Sequence, residues 1–347
     1  MRAPAFWWRS SPSLLALLLS PIGWIWGEIA GRRMQRSGQD ADARVLCIGN
    51  FTAGGAGKTP TALACAAILS QQGYKPAFLT RGYGGTLARD GAAHQVDLRS
   101  HLAGQAGDEP LLLAVRAPTY IASDRLKGAN AATAMGADVL VMDDGLQNPG
   151  LNKDLTLVVA DGETGIGNGL CIPAGPLRAP LALQWPKAGA LVLIGSGEAG
   201  NRLAQQAVLL GKPVFRASLE PDPDVIAQLR GKRVIAFAGI GRPDKFFATL
   251  QNAGIEIVDA FAFADHQTLD FGEIALLQKT ALEMNAHLVT TEKDFARVGA
   301  DFDTGTKPLA LPVTLLFEDP SGFTRFMMRA LGSTGAAGGR KKPPQSR

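Results

Sequence analysis

Short, continuous runs of apolar residues alternate along the chain with stretches of helical periodicity. In the first half, the runs that indicate buried strands lie at 44–50, 75–82, 138–145, 154–161 and 190–195. Strands that are apolar throughout, rather than at every second position, are typical of a parallel sheet with helices on both faces. The pattern therefore predicts an α/β fold around a mostly parallel sheet.

A second series of strand and helix patterns follows further along the chain, at 232–263, 287–294 and 313–319. The segment between the two series, 218–231, reads SLEPDPDVIAQLRG and carries two prolines, so we place a domain boundary there. We expect a larger domain over 37–220 and a smaller C-terminal α/β lobe over 221–330 that closes over the active site.

The first 36 residues have a composition of their own. Four of the five tryptophans flank an apolar run from Leu14 to Trp26, and basic residues follow it. Tryptophan favours the headgroup level of a bilayer, the run is shorter than the roughly 20 residues of a spanning helix, and Pro21 is expected to restart the helix. We predict an amphipathic membrane anchor over 1–36 that lies in the interface. A tilted span, a signal peptide and a helix packed on the protein's own core are the alternatives.

Composition and charge exclude several classes of protein. The net charge of +4 is small for 347 residues and much of the excess lies at the two ends, so nucleic-acid binding is not indicated. The scattered cysteines Cys47, Cys65 and Cys171 argue against a disulfide framework or a zinc site and favour a reducing compartment. Residues 331–347 are basic and low in complexity, which predicts a disordered tail.

The stretch GNFTAGGAGKTP, residues 49–60, is close to a phosphate-binding loop. The usual pattern is G-x-x-x-x-G-K-[ST], and Thr52 stands where its first glycine would be. The loop joins an apolar strand to a helix, so its N–H groups form an anion site at a helix N-terminus. We expect ATP with Mg²⁺, Lys58 on the β/γ-phosphates and Thr59 on the metal. The nucleotide-binding residues are then Thr52, Ala53, Gly54, Gly55, Ala56, Gly57, Lys58 and Thr59.

Paired acidic residues stand at two further places. Asp143 and Asp144 end an apolar strand, where a Walker B carboxylate reaches the metal or its water shell. Asp108 and Glu109 precede a helical stretch and are candidates for a base towards a substrate hydroxyl or for magnesium ligands. Capping of the following helix is the alternative for both pairs.

Two more candidates lie in loops. His266 follows an apolar strand of the second lobe and is either a surface residue or a partner brought in by domain closure. Arg178 lies in the proline-rich stretch 168–180 and is a candidate contact for a phosphate or a lipid headgroup, with a plain loop as the alternative.

Nine short motifs occur in order along the chain: GNFTAGGAGKTP, RGYGG, GDEP, SDR, DDGLQ, GNGLCIPAGPLR, GIGRPDKFF, ADH and TTEKD. Together they resemble the tetraacyldisaccharide 4'-kinases, which phosphorylate the lipid A precursor at the inner membrane of Gram-negative bacteria. The resemblance covers residues 5–330 and implies a P-loop NTPase-like fold. That family is also similar in having a threonine in place of the first Walker glycine.

The resemblance implies roles for individual residues. Lys58 matches the phosphate lysine, Asp108 the general base on the 4'-hydroxyl, and His266 the histidine that pairs with it across the domain cleft. Arg178 matches an arginine near the acceptor. The implied metal ligands are Thr59, Glu109, Asp143 and Asp144. Family members often carry two further histidines and a glutamate on the acceptor side, where this chain has Gln267, Asn148 and Ala179.

The implied activity is transfer of the γ-phosphate of ATP to a tetraacyldisaccharide 1-phosphate, giving lipid IVA. The implied partners are the acylated disaccharide lipid and the cytoplasmic face of the inner membrane, with no nucleic acid and no obligate protein partner. One alternative is a membrane-docked switch ATPase of the partitioning type, whose loop normally has a lysine where Ala53 stands. Another is a structural nucleotide-binding protein, which the paired acids argue against.

Overall fold

The computed structural model describes residues 3–298, 301–302 and 304–332, and the predicted tail lies outside them from residue 333 onward. The strands are β1 (Arg44–Gly49), β2 (Pro76–Thr80), β3 (Ala93–Gln95), β4 (Thr119–Ala122), β5 (Val139–Asp143), β6 (Leu155–Asp161), β7 (Ala190–Ile194), β8 (Val214–Pro221), β9 (Arg233–Ala238), β10 (Glu256–Ala262), β11 (His287–Thr291), β12 (Leu309–Leu311) and β13 (Val313–Phe317). The helices are α1 (Leu14–Met34), α2 (Lys58–Gln71), α3 (Ala103–Ala106), α4 (Asp108–Ala114), α5 (Arg125–Ala134), α6 (Leu181–Gln184), α7 (Glu198–Leu209), α8 (Pro223–Leu229), α9 (Pro243–Asn252), α10 (Phe271–Glu283), α11 (Glu292–Val298) and α12 (Pro320–Leu331).

A nine-stranded sheet forms the larger domain, in the order β13-β8-β7-β6-β1-β5-β2-β4-β3. Its strands are parallel except at the two edges, where β3 and β13 run antiparallel to their neighbours. Helices α2 and α12 cover one face, and α5 and α7 cover the other. The predicted α/β fold with a mostly parallel sheet is confirmed, because apolar side chains of each central strand are buried on both faces.

A parallel four-stranded sheet, in the order β10-β9-β11-β12, forms the second lobe. Its two faces are covered by α8 and α9 on one side and by α10 and α11 on the other. The chain then returns to the larger domain, where β13 pairs with β8 and α12 packs beside α2.

The expected lobe 221–330 therefore needs a correction at its C-terminal end. Residues 313–331 belong to the larger domain, because Phe317, Phe323 and Met327 are buried in the core beneath α2. The apolar run at 313–319 indicated a strand, but an apolar run does not show which sheet the strand joins.

Helix α1 continues through Pro21 for 21 residues, so the prediction that proline would restart the helix is wrong. Proline removes the hydrogen bond that would reach the carbonyl four residues earlier, on Leu17. The hydroxyl of Ser20 donates to that carbonyl at 2.8 Å and replaces the lost bond. By length and composition, α1 is a candidate for a membrane-crossing helix.

One face of α1 packs on the loop that follows residue 170. Gly23, Gly27 and Gly31 are buried there, and a Cβ at any of them would come within 2.7 Å of Cys171 or Leu183. The other face is exposed and apolar, through Leu14, Leu15, Leu17, Leu18, Ile22, Trp24, Ile25, Trp26 and Ile29. A membrane anchor presents an exposed apolar face of this kind to the bilayer, so the anchor over 1–36 stays a prediction.

Candidate active site

The phosphate-binding loop leaves the central strand β1 at Gly49 and enters α2 at Lys58. Gly57 caps this helix with a φ of 88°, and a Cβ there would lie 2.4 Å from Ile194. Only glycine fits a left-handed position this close to a neighbour. The loop is held from outside by the Ala53 N–H, which donates to the Pro176 carbonyl at 2.8 Å. The backbone thus has the form of an anion site at a helix N-terminus.

Asp143 ends β5, the strand next to β1, opposite Ile48. Its side chain is buried, and its Oδ1 has no hydrogen-bond partner within the part of the chain that the structure describes. Burial, reinforced by the negative charge of Glu109, raises the pKa of Asp143 to about 7, although Lys58 opposes the shift. An unpaired buried carboxylate oxygen beside a phosphate loop is suited to a cation ligand.

Asp144 forms ion pairs with two cationic side chains. Both of its carboxylate oxygens accept from Nη1 of Arg178 at 3.0 Å, and the Lys58 ammonium lies 3.9 Å away. Burial raises the pKa of Asp144, but Lys58 and Arg178 outweigh it and hold that pKa below its usual value. Arg178 also donates from Nε to the Thr52 carbonyl at 3.0 Å. Arg178 therefore connects the proline-rich loop 168–180 to the phosphate loop.

Asp108 and His266 meet across the two lobes. Asp108 begins α4 and is 5% exposed, and its Oδ2 lies 3.1 Å from Nδ1 of His266. His266 has a φ of 59° and its N–H donates to the Gly239 carbonyl, so the turn after β10 directs the ring back towards the larger domain. Of the two alternatives for His266, the structure supports the partner from the second lobe.

Two cations of α11 complete this cluster, and the sequence reading assigned them no role. Lys293 lies 3.0 Å from Oε1 of Glu109 and 3.2 Å from Nε2 of His266. Arg297 reaches Oδ2 of Asp108 at 2.5 Å. Burial raises the pKa of Asp108, but the His266 hydrogen bond, Lys293 and Arg297 together hold it well below its usual value. The signals in the sequence were the motif TTEKD, which contains Lys293, and a lysine and an arginine four residues apart in a helix directly after a strand.

A second set of charges joins the lobes on the other side of the phosphate loop. Arg242, at the start of α9, donates to Asp161 at 3.0 Å and to Glu163 at 2.5 Å. Lys245 also bonds to Asp161. Gly241 beside them lies so near the phosphate loop that a Cβ there would be 3.5 Å from the Gly55 nitrogen. Sequence reasoning missed these contacts, because they depend on how the lobes face each other.

The predicted metal ligands do not form a cage of their own. Among the described residues, no group of three or more histidine, cysteine, aspartate or glutamate side chains could hold a metal ion. Glu109 is bonded to Lys293 and Asp144 to Arg178. Thr59 at the start of α2 and the unpaired Asp143 are the predicted ligands that remain.

Comparisons with known proteins agree with this geometry. The family model described as tetraacyldisaccharide-1-P 4'-kinase matches residues 15–332. The chain belongs to this family. A tetraacyldisaccharide 4'-kinase of Methylobacterium sp. (strain 4-46) is 51% identical over 331 residues, which cover 95% of this chain and 98% of the relative. One of Bradyrhizobium sp. (strain BTAi1) is 48% identical and covers 96% of both chains.

A crystal structure described as the "apo" form of LpxK from Aquifex aeolicus in complex with ATP has the same fold. It is 24% identical, with a TM-score of 0.69, and the match covers 92% of this chain and all of that one. The P-loop NTPase-like fold and the resemblance to the 4'-kinases are thus confirmed, as is the enzyme class, a lipid kinase. The family match supports this activity over the alternative of a switch ATPase.

Proposed function

We propose that the protein transfers the γ-phosphate of ATP to the 4'-hydroxyl of a tetraacyldisaccharide 1-phosphate, with Asp108 and His266 at the reacting hydroxyl. The observation that carries the proposal is the 3.1 Å contact between Asp108 Oδ2 and His266 Nδ1, made by residues of separate lobes. The pair lies near the phosphate loop, because the His266 N–H donates to the Gly239 carbonyl and a Cβ on Gly241, two residues further, would lie 3.5 Å from the Gly55 nitrogen. The candidate acid–base pair Asp108 and His266 thus lies beside a nucleotide site.

On the nucleotide side, residues 52–59 would hold ATP. The loop N–H groups and the Lys58 ammonium supply the positive potential that the β- and γ-phosphates require. Lys58 is largely buried, and its ammonium lies 3.9 Å from Oδ1 of Asp144. Phosphoryl transfer depends mostly on positioning and on neutralising charge, so these residues would orient the γ-phosphate rather than react with it.

Thr59 and Asp143 would hold Mg²⁺. The fit rests on Oδ1 of Asp143, which is buried and has no hydrogen-bond partner among the residues that the structure describes. Mg²⁺ is usually held by one or two protein groups together with substrate phosphates and waters, so two protein ligands are sufficient. When bound, the ion neutralises charge on the phosphates.

Asp108 would accept the proton of the 4'-hydroxyl. Its Oδ2 already takes bonds from His266 and Arg297, whereas Oδ1 takes one bond, from the Glu109 N–H at 3.0 Å. Because a carboxylate oxygen has two lone pairs, Oδ1 retains one for the hydroxyl. The low pKa of Asp108 keeps it ionised and able to orient the hydroxyl, although it also makes Asp108 a weak base, which suits a phosphoryl transfer that depends mostly on positioning. The second lobe would exclude water, and Arg178 would contact the acceptor beside the phosphate loop.

Helix α1 would bring the enzyme to the cytoplasmic face of the inner membrane, where the lipid acceptor lies. Its exposed face is apolar over most of its length, while its glycine face is covered by the protein's own loop. A helix covered on one side favours insertion into the interface over a span surrounded by lipid. The loop 168–180, which packs on α1, would then be held next to the bilayer. No protein partner is required.

The test is a transfer assay with γ-labelled ATP, Mg²⁺ and detergent-dispersed tetraacyldisaccharide 1-phosphate, following label into lipid and into free phosphate. We expect label in the lipid, abolished in K58A and strongly reduced in D108A and H266A. The matched controls D42A and H287A alter exposed residues of the same two lobes and should retain activity. Normal transfer by D108A would contradict the proposed base. Free phosphate without labelled lipid would contradict the kinase.

A further inference from the structure

Lys293 stands at the centre of the contact between the lobes. Its ammonium lies 3.0 Å from Oε1 of Glu109 in the larger domain and 3.2 Å from Nε2 of His266 in its own lobe. Its side chain is only 20% exposed, so it is not a solvated surface lysine. A short helix, α11, starting directly after β11 fixes its position.

The ammonium can only donate hydrogen bonds. Lys293 forms an ion pair with the Glu109 carboxylate at 3.0 Å. Lys293 is therefore the donor towards His266 as well, and the partner atom Nε2 of His266, 3.2 Å away, has to be an acceptor without a proton. The single proton of the neutral ring is then on Nδ1, where it is donated to Oδ2 of Asp108.

We propose that Lys293 is a positioning residue for the kinase reaction, one that fixes the His266 ring with Nε2 as acceptor and its only proton directed at Asp108. The inference rests on the roles proposed above for Asp108 and His266. Lys293 acts through His266 and Glu109 and does not itself receive the substrate's proton.

Arg297 supports the same arrangement from the next turn of α11. It is 7% exposed, and its guanidinium contacts Asp294 at 3.1 Å and the Gln267 carbonyl at 3.0 Å before it reaches Asp108. The Gln267 contact joins α11 to the turn that carries His266. Two cations four residues apart thus hold the two members of the Asp108–His266 pair, one each.

The other charged groups near the ring leave Nε2 to Lys293. Asp265 Oδ1 is 3.8 Å from Nε2, beyond hydrogen-bond range, and Tyr83 approaches the ring at 5.6 Å between centroids. Removing the lysine would therefore remove the donor that fixes the direction of Nε2. The length and charge of residue 293 thus decide the orientation of the ring.

The decisive experiment records ¹⁵N spectra of the histidine rings in the full chain in detergent, without nucleotide, at one neutral pH. With four histidines in the chain, H266A identifies the His266 signals. In the wild type we expect Nδ1 to carry the proton and Nε2 to be an unprotonated acceptor. In K293M we expect the Nδ1 and Nε2 signals to shift, because the ring loses the donor that fixes its direction, whereas the control K279M, an exposed lysine of α10, should leave both signals unchanged. A protonated Nε2 in the wild type would overturn the inference.

Kinetics separate positioning from binding. We expect K293M to lower kcat about 10- to 100-fold with little change in the KM for ATP, and K293R to recover part of the loss because it keeps a cationic donor. A raised KM for ATP with kcat unchanged would mean that Lys293 binds phosphate, which contradicts the inference. An H266A variant with normal activity would refute the proposed role of His266. The spectra do not depend on turnover, so they would still show whether Lys293 donates to Nε2.

Discussion

Oδ2 of Asp108 and Nδ1 of His266 lie 3.1 Å apart, although the two residues belong to different lobes and are 158 positions apart in the chain. Neither residue has this partner unless the second lobe faces the phosphate loop. The pair thus makes the reactive arrangement depend on the position of the lobes, which is how a kinase can avoid passing phosphate to water.

The first prediction is that Asp108 and His266 act as a unit. We expect D108N and H266A each to lower kcat about 100-fold or more, and the double variant to lose little beyond the worse single variant, because either change breaks the same contact. Label transferred to lipid gives kcat for all three proteins, with H287A as the control. Losses that multiply in the double variant would show that the two residues act independently.

The second prediction concerns the charge of Asp143 without metal. Its raised pKa means that between about pH 4 and pH 7 the folded protein holds a proton that the unfolded chain has released. Wild-type stability therefore falls as the pH rises through that window.

In EDTA, D143N should be more stable than the wild type at pH 8, by about 1–4 kcal/mol, and nearly equal to it at pH 5. Thermal unfolding at both pH values tests this, with D42N as the exposed control. An equal difference at both would contradict the prediction.

The third prediction tests the packed face of α1. A side chain at position 27 would strike Cys171 and Pro180, so we expect G27L to lower the free energy of unfolding by about 1–3 kcal/mol. This is the reverse of the effect of replacing glycine in an isolated helix. Denaturation in detergent gives the value, and I25L on the exposed face is the control. If G27L is as stable as the wild type, the helix does not depend on this contact.

The fourth prediction tests the exposed face of the same helix. Leu18 and Ile25 are 69% and 54% exposed, and replacing both by glutamate would place two charges against the bilayer. We expect at least about a tenfold loss of sedimentation with vesicles, since each apolar side chain contributes about 1.5–3 kcal/mol when buried. L209E, in an exposed position on α7, should bind vesicles normally. Unchanged binding by the double variant would exclude this face as the membrane contact.

The fifth prediction concerns the ion pairs between the lobes. Asp161 bonds to both Arg242 and Lys245 and is 8% exposed, so D161N should cost about 1–3 kcal/mol of unfolding free energy. The control E198Q breaks an exposed pair with Arg202, which should cost about 0–1 kcal/mol. Urea denaturation compares them. Equal effects of the two variants would mean that the contact between the lobes adds no stability.

The sheet of the larger domain could be predicted from the sequence, because its central strands are apolar throughout and end at glycine or acidic residues. The runs at 44–50 and 190–195 match β1 and β7 to within a residue. The phosphate loop was equally clear, since its function depends on local backbone geometry.

What the sequence could not predict were features that depend on a distant partner. The strand at 313–319 could be predicted, but its pairing with β8 could not, because β8 lies about 100 positions earlier in the chain. Lys293 lies in the motif TTEKD, but the motif does not show its role, because its partners Glu109 and His266 are separated by more than 150 positions. The restart expected at Pro21 does not occur in α1, because the hydroxyl of Ser20 replaces the bond that the proline removes, and the sequence does not show that contact.

The way in which the chain enters and leaves the second lobe limits how that lobe can move. It departs after Pro221 at the end of β8 and returns at Val313 at the start of β13, and these two residues pair directly. The Asp222 N–H also donates to the Pro312 carbonyl at 2.9 Å. We expect two covalent connections side by side to act as a single hinge axis. Any opening of the lobe would then be a swing about that line, and closing would return His266 along one arc to Asp108.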